Sequence, residues 1–130
     1  MTAQPPPDLE VLYRILVQTA RRRTTMSYED VSHAYEQRMG IWYHYHGTWD
    51  EPLGQINNIV YERVPTLPAL SAVVIKKPPD HKQGMPGGAF WGCCPSVPNQ
   101  PRNTLRRIEV WSQILNDIYA TYWPDELPRE

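Results

Sequence analysis

Cysteine is nearly missing from this chain: 130 residues contain two, and they are neighbours, Cys93 and Cys94. A bridge between adjacent residues is strained and closes no useful loop, so a disulfide framework is excluded and a reducing, cytoplasmic setting is expected. Long apolar runs are missing as well, which excludes a membrane-spanning helix of about 20 residues. The opening stretch, MTAQPPPDLE, has neither the basic nor the apolar region of a signal peptide. Charge of one sign is also lacking. Lys plus Arg number 13 against 14 Asp plus Glu, a formal net charge of −1, so the basic excess that marks many nucleic-acid-binding domains is not present. There is no internal repeat, no phosphate-binding glycine loop, no supported Ser-His-Asp order and no carboxylate pair of distinctive spacing. The expectation is a protein with no catalysis and no cofactor of its own.

Aromatic residues and proline are plentiful instead. Five Trp, eight Tyr and an apolar fraction of 41% suit one folded domain with a real core. Fourteen prolines cluster at 5–7, 65–68, 78–79, 95–101 and 124–128, where they punctuate the periodic segments. They divide the chain into a proline-rich arm over 1–7, a domain over 8–123 and a tail over 124–130.

Within the domain, Asp8 can cap a helix whose Leu9, Leu12, Ile15, Leu16 and Ala20 fall at helical spacing. Arg21, Arg22 and Arg23 close it, favourably placed at the negative end of the helix dipole. Ser27, with Asp30 three residues on, starts a second helix with Tyr28, Val31, Ala34 and Tyr35 inward. An aromatic segment follows, with Trp42, Tyr43, Tyr45 and Trp49 interleaved by His44 and His46. Asp50 can cap a third helix with Pro52 in its first turn. Leu53, Ile56, Ile59 and Val60 then face inward, Gln55, Asn58 and Glu62 outward, and Asn57 and Tyr61 at the border. The run Ser71-Ala72-Val73-Val74-Ile75 reads as a buried strand. A loop with Lys76, Lys77 and Lys82 turns at Gly84, Pro86, Gly87 and Gly88 into a second apolar piece, Ala89-Phe90-Trp91, expected to pair with the first as an antiparallel ribbon. A last helix starts at Asn103 or Thr104 and carries the stripe Leu105, Ile108, Trp111, Leu115, Ile118 and Tyr122 before Pro124. The expected fold is α+β, a winged helix-turn-helix with three N-terminal helices, a β-hairpin wing and a long C-terminal helix.

From Thr25 to Ile75 the chain resembles the winged-helix part of the alkylguanine-DNA alkyltransferase and alkyltransferase-like families. Those carry a Thr-Tyr-Gly turn, an Arg-x-Val-Gly helix start and a Pro-Cys-His-Arg-Val stretch entering a strand. Here Ser27-Tyr28-Glu29, Pro52-Leu53-Gly54 and Leu70-Ser71-Ala72-Val73-Val74-Ile75 stand at those places. Tyr28 and Gly54 match. Ser71 takes the acceptor position, Ala72 that of the activating histidine, and Glu51 that of the arginine inserted into DNA. The resemblance therefore implies the fold and not alkyl transfer, since a serine with no adjacent base is a poor nucleophile. Pro68-Ala69-Leu70-Ser71-Ala72-Val73-Val74 and Pro86-Gly87-Gly88-Ala89-Phe90 also resemble segments of small bacterial proteins, a likeness that implies no function.

Two ligand classes follow. For double-stranded DNA, Gln55, Asn57 and Asn58 are amides able to pair with adenine edges, and Lys76, Lys77, Lys82 and Arg21 to Arg23 can neutralise phosphates. The competing explanation is an ordinary amphipathic helix, favoured by Glu51 and Glu62 on the same face. For a protein partner, Trp42, Tyr43, Tyr45, Trp49 and Trp91, on the loops 41–49 and 91–101, are candidate anchors; the competing explanation is that these rings cover the core. The last helix could pair two copies into a homodimer. No metal site is expected, although His44, His46, Cys93 and Cys94 are four good ligands, because adjacent cysteines lack the usual C-x₂-C spacing. His33 and His81 stand alone and read as surface residues.

Overall fold

A computed structural model describes residues 4–45, 47–76 and 84–128. It is α+β and mostly helical: α1 (Leu9–Arg21), β1 (Met26–Ser27), α2 (Tyr28–Met39), α3 (Asp50–Arg63), β2 (Val74–Ile75) and α4 (Thr104–Ala120). Among the described residues no helix is long and apolar enough to cross a membrane.

The helix starts follow local chemistry. The Asp8 carboxylate accepts from the N–H of Glu10 at 2.9 Å and of Val11 at 3.3 Å, satisfying donors that α1 cannot pair internally. Ser27 and Asp30 form a reciprocal capping box on α2, with bonds of 3.0 and 3.1 Å, and Gly40 ends α2 in the left-handed conformation, φ 70°. One cap differs from expectation. Asp50 is the first helical residue of α3, and the cap position belongs to Trp49, whose side chain makes no capping bond because its indole N–H can only donate, which it does to Ser32 in the core.

The larger departure is at residues 70–75. Leu70–Val73 form a 3₁₀ turn, and only Val74 and Ile75 are a strand. That strand pairs in parallel with β1, Met26 opposite Val74 and Ser27 opposite Ile75. The antiparallel ribbon with Ala89-Phe90-Trp91 does not form, since Gly88–Phe90 is itself a 3₁₀ turn. Among the described residues the two sides are joined by the bond from the Lys76 N–H to the Met85 carbonyl, at 2.8 Å. The physical cause is where the backbone polar groups of the buried run find partners. The Ser71 N–H donates to Asn57 Oδ1 of α3 at 3.2 Å, and the Ala72 carbonyl accepts from Trp111 Nε1 of α4 at 2.9 Å. The Ala72 N–H closes locally on the Ala69 carbonyl at 3.1 Å. With these groups satisfied by helix side chains and a local turn, Leu70 to Val73 can be buried without themselves forming a strand.

The core lies around this turn. Leu12, Ile15 and Leu16 of α1, Val31 and Tyr35 of α2, Ile56 and Val60 of α3, and Ile118 of α4 are buried with Leu70 to Val74. Tyr35, Tyr43 and Trp49 form a triangle of rings with centroids 5.3–5.6 Å apart. The buried hydroxyl of Ser32 ties together two points of that segment, accepting from Trp49 Nε1 at 2.9 Å and donating to the Tyr43 carbonyl at 2.6 Å. The described part of the arm packs on the same cluster, Gln4 Nε2 donating to the Trp42 carbonyl at 2.7 Å and the Tyr43 hydroxyl to the Pro5 carbonyl. At the other end, the chain after α4 turns back onto α1. The Tyr13 hydroxyl donates to the Pro124 carbonyl at 2.7 Å, and the Leu127 N–H to Glu10 Oε2 at 2.8 Å.

Candidate functional site

A polar cluster at the inner side of α3 joins three segments that are far apart in sequence. Asn57 is on the inner side of α3, 2% exposed. Its amide nitrogen donates to Ser71 Oγ at 2.6 Å and to Cys93 Sγ at 3.3 Å, and its oxygen accepts from the Ser71 N–H. Cys93 Sγ lies 3.8 Å from Cys94 Sγ, which in turn lies 3.1 Å from Ser96 Oγ. A cavity of about 10 Å³ opens beside the cluster, lined by Tyr28, Leu53, Asn57, Ser71, Phe90 and Cys93, room for about one water molecule. Tyr28 closes one side, its hydroxyl accepting from the Gly87 N–H at 3.1 Å. A Cβ at Gly87 would stand 2.9 Å from that oxygen, so a side chain there would have to push the Tyr28 hydroxyl aside.

The two thiols titrate as a pair. The hydrogen bond from Cys93 lowers the Cys94 pKa to about 6, helped by the bond with Ser96, while burial works against it. Cys93 is pushed far above the ordinary thiol range, first by that same bond to Cys94 and then by burial. The pair thus takes its first negative charge readily and resists a second. Burial also raises the Tyr28 phenol, against the opposing pull of the Gly87 N–H.

The residues singled out for DNA are distributed unevenly. Gln55 and Asn58 are exposed on α3, as are Glu51 and Glu62. Asn57 is not on the border of that face; it points inward, held by Ser71 and Cys93. Arg22 and Arg23 are exposed, Arg23 in the left-handed conformation with φ 53°. Arg21 is committed to the C-terminal segment, its guanidinium 2.8 Å from both the Trp123 carbonyl and Asp125 Oδ1. Lys76 is exposed at the base of the loop, and Lys77 and Lys82 lie outside the described residues. Of the rings singled out for a protein partner, Tyr43, Trp49 and Trp91 are buried. Trp42 and Tyr45 are half-buried, the first beside His33 with ring centroids 5.0 Å apart. His33 is exposed and 3.7 Å from Glu29. His44 stacks on Tyr45 at 5.0 Å, while His46 and His81 lie outside the described residues. Among those residues no group of three or more His, Cys, Asp or Glu is placed to share a metal ion.

The cluster of Asn57, Ser71 and the two thiols is what sequence reasoning did not assemble. Its one signal was a buried-looking serine opening an apolar run and an amide on the edge of an amphipathic helix. Nothing local indicates that the two meet.

Compared with known proteins, the chain matches no family model, no curated protein and no solved structure.

Proposed function

We propose that this chain is a non-enzymatic binding module of winged-helix character whose ligand is double-stranded DNA. The observation that carries the proposal is the way α3 is held. Asn57 pins the helix from inside to the turn at Ser71, leaving Gln55 and Asn58 exposed on the opposite side. Two amides presented on a rigid helix have the donor and acceptor groups that adenine edges require in the major groove. Exposed cations are available for phosphates: Lys76, where its N–H bonds to the Met85 carbonyl, and Arg22 and Arg23 at the end of α1. In this proposal Lys76, which follows β2, stands where a wing would supply its cations. The likeness to the alkyltransferase-like families points to the same ligand class without the chemistry. Ser71 has its hydroxyl engaged by Asn57 and Ala72 beside it where a base would be needed.

The test is a mobility shift with mixed-sequence duplex at low and moderate salt. Binding should weaken steeply with salt, and the double substitution Lys76→Ala with Lys77→Ala should reduce the slope by roughly 2. Replacing Glu51 and Glu62 by Gln should tighten binding by relieving repulsion. Absence of a shift at low salt would overturn the DNA proposal. The ligand would then be a protein partner meeting the half-buried Trp42 and Tyr45.

A further inference from the structure

Neighbouring side chains rarely share a ligand, because on a strand they point to opposite faces and on a helix they diverge by about 100°. The loop after Phe90 removes that obstacle. The Cys93 N–H folds back on the Phe90 carbonyl at 3.2 Å, the Val97 N–H on the Cys94 carbonyl at 3.0 Å, and the Gly92 N–H reaches the Pro98 carbonyl at 3.0 Å. Gly92 holds the turn with φ 73°, and a Cβ there would stand 2.8 Å from Asn99 Oδ1. The outcome is that both sulfurs face the same way, 3.8 Å apart. Two thiolates bound to one tetrahedral centre by bonds of about 2.3 Å are separated by about 3.8 Å, and a pyramidal centre with a narrower angle needs only a few tenths of an ångström less. The thiols are therefore at chelating distance before any ligand arrives.

We propose that Cys93 and Cys94 form a two-thiol chelating site for a trivalent thiophilic metalloid centre of the organoarsenical class. Three observations select that class. Among the described residues no third His, Cys, Asp or Glu joins the thiols, so the four-ligand set of a structural zinc is not assembled. A centre that accepts two sulfurs and brings its own remaining substituent asks for nothing more. A direct disulfide suits the pair less well, because adjacent Cα atoms are about 3.8 Å apart across a trans peptide and disulfides span about 4.4 Å or more. Finally, access is graded. Cys93 is half-buried at the cavity, with Asn57 donating to its sulfur, whereas Cys94 is 6% exposed. One sulfur captures the centre and the other, already at chelating distance, closes the ring. With phenylarsine oxide the step balances without redox change: two S–H and the As–O bonds are exchanged for two As–S bonds, and the oxygen leaves with both protons as water.

The experiment treats the full, phosphine-reduced chain with phenylarsine oxide and follows mass and free-thiol count. One equivalent should consume both thiols, and release should require a competing dithiol while excess monothiol leaves the adduct in place. Cys93→Ser and Cys94→Ser should each weaken capture by about 10²–10⁴-fold, the loss expected when an intramolecular second contact is removed. Release of the native adduct by monothiol, or capture by either variant as tight as by the native chain, would overturn the proposal. If a variant fails to fold, the monothiol and dithiol arms on the native chain decide alone. Air oxidation to a Cys93 to Cys94 disulfide with no arsenical uptake would overturn it too.

Discussion

Helices α1 and α4 both carry an apolar stripe at helical spacing, and the two stripes are buried to very different depths. In α1, Leu12, Ile15, Leu16 and Ala20 are all buried. In α4 only Trp111 and Ile118 are, and at the ends of the stripe Leu105 is 76% exposed and Tyr122 93% exposed. The difference lies in what surrounds each helix. α1 is touched by α2, α3, α4 and the turn at Leu70–Val73, and the returning C-terminal segment bonds to it through Tyr13, Arg21 and Glu10. α4 covers that turn from one side, fastened to it by the Trp111 bond to Ala72. Tyr122 also lies beyond the helix, which ends at Ala120. A periodic stripe thus states which side of a helix is apolar, while its neighbours set how much of that side leaves water.

The contrast can be broken most sharply at Leu16. Truncation to Ala should cost about 2–5 kcal/mol in denaturant unfolding, because the site is enclosed on every side and cannot collapse around the cavity. A loss below 1 kcal/mol would mean that α1 is not the centre of the core.

A smaller effect should appear at alkaline pH, through the contact that ties the returning chain to α1. The Tyr13 phenol is pushed up to about 12, chiefly by burial, from about 10 in an unfolded chain. The folded state holds that proton more tightly, so its contribution is complete below about pH 10 and is lost as pH rises from about 10 to 12, on the order of 2 kcal/mol. Tyr13→Phe should be about 1 kcal/mol less stable at neutral pH, from loss of the bond to Pro124, and should show a shallower alkaline decline. The decline should not vanish, because burial raises Tyr28, Tyr43 and Tyr119 as well. An identical alkaline profile in the variant would disconnect Tyr13 from it.

The smallest effect belongs to the open end of α4. Leu105→Ala should change stability by no more than about 0.5 kcal/mol and leave the mass measured by size-exclusion with light scattering unchanged. A fall from dimer to monomer mass would instead make α4 an interface between copies and reverse the interpretation of its exposed stripe.

Several features were legible because their cause is local. Asp8, Ser27 with Asp30, and Asn103 cap the helices that the sequence places at those positions, since a capping oxygen and its N–H donors are within four residues of each other. The burial of Val73 and Val74 was legible from their apolar character, but their backbone state was not. A β-branched run bounded by turn residues reads as a strand unless distant side chains take over its hydrogen bonds, as Asn57 and Trp111 do for Ser71 and Ala72. The candidate site was less legible still. Asn57 looked like a border amide on α3, and only packing against Ser71 and Cys93 turns it inward. The two cysteines, judged by the spacing of known metal motifs, gave no reason to expect their sulfurs on one side.

Composition and periodicity alone determined that this chain is mostly helical, where α1, α2 and α4 begin, and which side of each of those helices is apolar, because each depends on residues within a turn or two of one another. Tertiary structure decided the parallel pairing of Met26 and Ser27 with Val74 and Ile75, the inward rotation of Asn57 and the approach of Cys93 to Cys94. The strand pairing and the rotation of Asn57 depend on partners supplied from distant parts of the chain, whereas the two thiols are brought together by the turn bonds of the loop after Phe90; a backbone group takes whichever partner the packed structure brings within reach.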